Sequence, residues 1–270
     1  MTVPPLTWLY VPADRPDRVE KAIASAAHAV IVDLEDGVAP GGKAEARASL
    51  ARLLGGPAGK PIYVRVNAGD PDDLAAVEAL ELNGLVVPKV ARLEDVPATR
   101  HPVHCLIETA AGVEAAYAIA STAGVAGISL GESDLRSETG ALEAGLDWPR
   151  ARIVNAAVAA GLPRPPQSVY PRLGDDEGLA RSCARGRELG HLGRAAIHPA
   201  QLPVIEDAYL PTEAELDRAR GTLERLDAAG AGTLAGGEFV DDAMLGGAHQ
   251  LVALAASYGT STRQSKGRVS

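Results

Sequence analysis

Short β-rich runs alternate with Ala-rich, charge-bearing stretches along most of this chain, and that alternation constrains the fold more than any single motif. The strand candidates are "WLYVP" (8–12), "AVIVDL" (29–34), "IYVRV" (62–66), "GLVVPKV" (84–90), "HCLIE" (104–108), "GISLG" (127–131), "QSVYP" (167–171) and "AAIHP" (195–199). Between and after them, helical spacing predicts helices over 16–27, 43–54, 71–81, 111–121, 148–160, 177–189 and 212–228. Only the fourth connection, "ARLEDVPATR", is doubtful as a helix, because Pro97 interrupts it. Strands that alternate with helices pair in parallel through right-handed crossovers. Eight such strands in 270 residues fit a (β/α)8 TIM barrel, whose usual length is ~250 residues. A doubly wound open sheet would carry a Gly-rich phosphate loop after its first strand, and "PADRPDR" stands there instead. The predicted class is α/β, with the barrel over 1–229.

Composition agrees. Aromatics make up only 3% of the chain, so the core must be built from Val, Leu, Ile and Ala, which suits parallel strands between helices. A net charge of −9 argues against nucleic acid as the main partner. Two cysteines, Cys105 and Cys183, build neither a disulfide framework nor a cysteine-based zinc site. With no long apolar run and no basic, apolar start, the expectation is a soluble cytoplasmic protein with no membrane partner. From Gly230 the character changes. "GAGTLAGGEFVDDAMLGGAHQLVALAAS" reads as a hinge, a short segment and a helix, a C-terminal lid over 230–257, and 258–270 is expected to be a disordered tail.

In a (β/α)8 barrel the site lies at the C-terminal ends of the strands, which turns scattered residues into neighbours. Glu35 and Asp36 follow strand two, Arg65 and Asn67 close strand three, and Lys89 ends strand four. Glu108 ends strand five and Asp134 lies just past strand six. Strands about 4.8 Å apart would let these last two carboxylates reach one ion. Without cysteine or paired histidine nearby, that ion would be hard, with Mg²⁺ the natural choice. A blander account exists for each residue. Asp134 suits a helix cap, "LEDG" at 34–37 suits a plain acidic turn, and Arg65 suits an ion pair with Glu35 or Asp36. Lys89 as a Schiff-base nucleophile is the mechanistic rival, but the surrounding acids would keep it charged. His198 reads better as a structural histidine before Pro199 than as a catalytic one.

Several stretches together resemble the citrate lyase β-subunit-like branch of the HpcH/HpaI aldolase family, which includes malyl-CoA and citramalyl-CoA lyases. They are "WLYVPADRPDRVEKA", "AVIVDLEDGVAP", "VRVN", "VVPKV", "LIETAAG", "GESDL" and "AAIHPAQLPVIEDAYLPT", in the family's order and across almost the whole chain. The resemblance implies that Glu108 and Asp134 ligate Mg²⁺, that Arg65 contacts substrate beside the ion, and that Glu35 and Asp36 support them. It also implies that Arg15 meets the CoA phosphates and that Asp241 is the proton donor, in its own or a neighbouring subunit of a homotrimer or hexamer. Ala111, Ser133, Gln167 and Arg172 depart from the family's pattern and leave the substrate open. The expected reaction is retro-Claisen cleavage of a 3-hydroxyacyl thioester to an acyl thioester and an α-keto acid. The alternatives are a non-catalytic thioester-binding subunit and a CoA-independent class II pyruvate aldolase.

Overall fold

Seven of the eight predicted strands form one parallel sheet in the computed structural model, which describes residues 3–56, 58–229, 231–233, 237 and 239–262. They are β1 (Thr7–Pro12), β2 (Ala29–Asp33), β3 (Ile62–Arg65), β4 (Gly84–Val87), β5 (Val103–Ile107), β6 (Val125–Leu130) and β7 (Arg194–Ala196). Their order in space is β6-β5-β4-β3-β2-β1-β7. Consecutive strands are neighbours and β7 pairs with β1, so among the described residues the α/β fold is a curled, seven-stranded parallel sheet of the expected TIM-barrel type, with β6 and β7 at its two edges. The crossovers carry α1 (Pro16–Ala24), α2 (Lys43–Leu54), α3 (Pro71–Glu78), α4 (Ala110–Ala120), α5 (Glu132–Thr139), α6 (Asp147–Ala159) and α7 (Asp176–Glu188). The doubtful fourth connection holds only a 3-10 turn at Leu93–Asp95.

The predicted strand "QSVYP" needs correction. It contributes a single parallel bridge, Gln167 to Arg194, in which Gln167 donates to Gly193 O and accepts from Ala195 N, both at 2.9 Å. Pro165, Pro166 and Pro171 bracket it and supply no N–H donors, so no ladder extends from it. The same rule shortens "GLVVPKV": β4 stops at Val87, Pro88 cannot donate, and Lys89 turns into the left-handed region at φ 58°.

Side chains alternate across this sheet with a period of two. Trp8, Ile31, Val86 and Leu106 fill the barrel's interior, with Tyr10 and Tyr63 packed against them. Three of the nine aromatics meet here, with the Trp8 and Tyr63 ring centroids 4.9 Å apart. Val30, Val32, Val64 and Ile107 are buried on the opposite face. Polar caps start several helices: Asp70 accepts from Asp72 N at 2.9 Å, and Thr109 accepts from Gly112 N at 3.1 Å.

The chain divides into two units, Pro5–Ile205 and the residues from Glu206 onward with the first four. After α8 (Leu202–Tyr209), the second unit contains α9 (Glu213–Ala229), a small antiparallel pair of β8 (Gly232–Thr233) and β9 (Phe239–Val240), and α10 (Leu245–Tyr258). A reciprocal capping box starts α9: Thr212 N donates to Glu215 Oε2 at 2.8 Å, and Glu215 N donates to Thr212 Oγ1 at 3.2 Å. Beyond α10, Asp207 accepts from Ser261 Oγ at 2.7 Å and Thr262 N at 2.8 Å. The rest of the expected tail, 263–270, lies outside the described residues, as do Gly230, 234–236 and Glu238 of the expected hinge. Among the described residues no helix is long and apolar enough to cross a membrane.

Candidate active site

Parallel pairing of β2 with β3 sets Asp33 directly beside Arg65, and both side chains face inward. The guanidinium meets Asp33 in a two-point fork, Nε to Oδ1 and Nη2 to Oδ2, each 2.7 Å. Its remaining nitrogen, Nη1, lies 2.9 Å from Glu35 Oε2 and 3.6 Å from Asp36 Oδ2. Burial alone would favour a neutral Arg65, but the Asp33 bonds and charge outweigh it and hold the group firmly protonated. Tyr10 lies under the guanidinium, its ring centroid 5.0 Å away. Burial pushes the Tyr10 hydroxyl up, so it stays protonated. The acidic turn is real as well. Asp33 accepts from Glu35 N at 2.9 Å and Gly37 N at 2.8 Å, and a Cβ at Gly37 would lie 2.5 Å from Asp33 Oδ2. "LEDG" is thus a turn that serves the site by fixing Asp33.

Glu108 and Asp134 line the same cavity, of about 400 Å³, at the C-terminal ends of the strands. Neither is a helix cap: Thr109 caps α4, and the residue before α5 is Gly131, with Asp134 inside the first turn. Glu108 is 4% exposed. Burial, then the charges of Glu35 and Asp134, push its carboxyl up to about 7, against the partial relief of Lys89 and Arg65. One oxygen accepts from Lys89 N at 3.2 Å. A Cβ at Gly131 would sit 2.4 Å from Glu108 Cγ, so the close approach of β6 to this carboxylate requires glycine. Asp134 is exposed at the start of α5, and that turn is clamped from behind. Arg150, 2% exposed, donates to both oxygens of Glu132 at 2.8 and 2.6 Å. Below the acids, burial pulls His104 down to about 4, and its neutral ring lies 3.0 Å from Ser129 Oγ.

A divalent cation suits this arrangement. A buried carboxylate that repels its neighbours is stabilised by positive charge, and carboxylate oxygens are hard ligands. Among the described residues no three His, Cys, Asp or Glu side chains converge to cage a metal alone. An ion on Glu108 and Asp134 would complete its shell with water and substrate oxygens, the usual habit of Mg²⁺.

Residues 6–199 match the family described as HpcH/HpaI aldolase/citrate lyase. The chain belongs to this family. A (3S)-malyl-CoA thioesterase of Cereibacter sphaeroides is 33% identical, over 82% of this chain and 82% of its own length. An L-malyl-CoA/beta-methylmalyl-CoA lyase of the same organism is 30% identical, over 90% and 92%. Among solved structures, CitE of Mycobacterium tuberculosis in complex with magnesium, acetoacetate and coenzyme A superimposes with a TM-score of 0.80. It is 32% identical, with 94% of this chain and 99% of that one covered.

The remaining residues that the HpcH/HpaI resemblance singled out are spread more widely. Asp241 is in the second unit, and its Oδ1 accepts from Ala243 N at 3.1 Å at the start of a 3-10 turn. Arg15 faces Asp17 at 3.7 Å, while Arg18 lines the cavity. Pro16 opens α1, which puts Arg18 in its first turn. Lys89 is a salt-bridge residue, its Nζ 2.6 Å from Glu35 Oε1. His198 accepts from Ala200 N at 3.1 Å and caps a 3-10 turn, a structural duty. Of the positions that depart from the family's pattern, Ser133 and Gln167 line the cavity. Asp33, Arg18 and the Arg150–Glu132 clamp were missed by the sequence reading. Asp33 was findable, because inward Ile31 and a period of two also aim residue 33 inward.

Proposed function

We propose that the protein is a Mg²⁺-dependent carbon–carbon lyase that cleaves a 3-hydroxyacyl thioester of malyl, citramalyl or citryl type. Family membership supports the lyase class, and the magnesium-bound CitE structure supports the ion. The single observation that carries the reading here is the joint presence of Glu108, Asp134 and Arg65 in one cavity. Glu108 and Asp134 are the residues that would hold Mg²⁺. When bound, the ion supplies Lewis acidity to an α-hydroxy or α-keto acid whose oxygens complete its shell.

In the cleavage direction the substrate's 3-hydroxyl passes its proton to a solvent water acting as base and becomes the keto oxygen. The C2–C3 bond breaks, and its electron pair passes to the thioester as an enolate that takes a proton at C2. Arg65, held by Asp33 and Glu35, directs positive charge at the oxygen that gains it. Because its partners are already in place, little reorganisation is needed when that charge develops. Glu108, whose carboxyl burial pushes up, would hold the ion in its ionised form and so would offer it a fixed anionic ligand. Asp241 is the proposed proton donor, from its own or a partner subunit of a trimer or hexamer. Arg15 and Arg18 offer positive charge to the phosphates of a CoA or carrier-protein arm.

Purified protein assayed with Mg²⁺ and malyl-, citramalyl- and citryl-CoA tests the proposal. The expected products are an acyl thioester and a keto acid. Likeness to a malyl-CoA thioesterase favours a second reading, hydrolysis of the thioester itself. Release of free thiol with no keto acid would select it, and no turnover of any of these thioesters by folded, Mg²⁺-loaded protein would remove both readings.

A further inference from the structure

Lys89 is the one non-glycine among the described residues with positive φ, at 58°. A left-handed lysine is strained relative to glycine at the same place, so this conformation calls for a local reason. Two contacts supply one. The peptide N–H, turned inward by this conformation, donates to Glu108 Oε2 at 3.2 Å. The ammonium reaches the other way and donates to Glu35 Oε1 at 2.6 Å, while Glu35 Oε2 lies 2.9 Å from Arg65 Nη1. Glu35 Oε2 is buried and takes no hydrogen bond, so its orientation toward Arg65 depends on what holds the opposite oxygen. One residue therefore spans both halves of the site, by main chain to the carboxylate pair and by side chain to the arginine cluster.

We propose that Lys89 is a positioning residue for the lyase reaction, a role that rests on the functional reading above. Its ammonium keeps Glu35 facing Arg65, and so keeps the guanidinium aimed at the oxygen that becomes charged. It need not touch substrate to do this.

Lys89→Gly relieves the strain and keeps the N–H but deletes the ammonium, and Lys89→Met deletes the ammonium at unchanged strain. Both should lower kcat about 10- to 100-fold, the scale expected from misplacing a catalytic group by about 1 Å, with KM within about threefold. Mg²⁺ affinity, measured by calorimetry, should stay the same or tighten, because a positive charge has left the neighbourhood of the ion. Lys89→Gly should melt within roughly 2 °C of wild type, and Lys89→Arg should recover most of the lost kcat. Wild-type kcat in both variants, or loss of Mg²⁺ affinity in step with kcat, overturns the proposal. A crystal structure of Lys89→Met separates its failure from that of the functional reading. If wild type cleaves no thioester yet Glu35 turns away from Arg65 in the variant, the lyase reading fails and the positioning role stands. If Glu35 and Arg65 do not move, Lys89 holds nothing.

Discussion

The two sides of the cavity obey opposite electrostatic rules. On the β2–β3 side, Arg65 is enclosed by Asp33, Glu35 and Asp36, and the cation and its acids satisfy one another. On the β5–β6 side, Glu108 and Asp134 have no arginine between them, and the buried member is driven up to about 7. A closed cluster of this kind is finished at folding and presents a fixed charge. An open pair is unfinished and gains from a cation that arrives later. The contrast explains how one barrel mouth can hold so many acids: Asp33, Glu35, Asp36 and Glu132 are neutralised by arginines of the chain itself, and the proposed ion would neutralise Glu108 and Asp134.

Breaking the closed side should do the most damage. Arg65→Met leaves Asp33 buried without a counter-charge and Glu35 with Lys89 alone, a loss of about 3–5 kcal/mol in such pairs, and removes an oxyanion partner with a fall of about 10²–10³ in kcat. Urea unfolding and steady-state rates should show both. If activity vanished while stability held, the pairing in the structure would be wrong. Arg150→Met should come next. It frees the buried Glu132 and unfastens the first turn of α5, so stability should fall by a similar few kcal/mol, while Mg²⁺ affinity weakens only because Asp134 is less well placed. Full catalysis at saturating Mg²⁺ is the expected signature, and irreversible loss of activity would count against it.

The open side should respond to pH instead. Glu108 titrates near 4.5 in an unfolded chain and near 7 here. Between those values the folded, metal-free protein holds a proton that the unfolded chain has released. Its contribution to stability is therefore complete below the lower value and is lost as pH rises through the upper one. Mg²⁺ binds the ionised form, so the rise in melting temperature on adding Mg²⁺ should grow from about pH 5.5 to about pH 8. Glu108→Gln should weaken Mg²⁺ binding about tenfold or more, by loss of a charged ligand, and flatten both pH trends. A Mg²⁺ effect that is equal at all pH values would place the ion elsewhere.

Much of this contrast was legible in the sequence, and the reason lies in barrel topology. Once strand–helix alternation is recognised, residues far apart in the chain must meet at one mouth, and Glu108, Asp134 and Arg65 do. Strand limits were less legible where proline intervenes: "QSVYP" has the composition of a strand but its neighbours lack donors. Asp33 was read as part of a strand, because its apolar neighbours in "AVIVDL" suggest plain core. The Glu132–Arg150 clamp joins residues 18 apart, on two helices of which only α6 was expected from the pattern. Pairings of that kind come from helix packing, and a single sequence carries little trace of them.

The least disruptive change should be the most telling. Asp134 is exposed, makes no clamp and caps no helix, so Asp134→Asn should alter metal-free stability by no more than about 0.5 kcal/mol, as surface substitutions do. It also removes a charge that pushes Glu108 up, so the Glu108 carboxyl should ionise at lower pH in this variant. Two effects on Mg²⁺ then oppose each other, since a ligand is lost while its partner becomes easier to ionise. A lost charged ligand should dominate at pH 8, where Glu108 is ionised in either protein, and affinity there should drop about tenfold. Near pH 6 the deficit should shrink, because burial and Glu35 still raise the Glu108 carboxyl in both proteins but the wild type has the larger share of protons to expel. Calorimetry at the two pH values measures both, and a deficit independent of pH would mean that the two carboxylates do not share one ion.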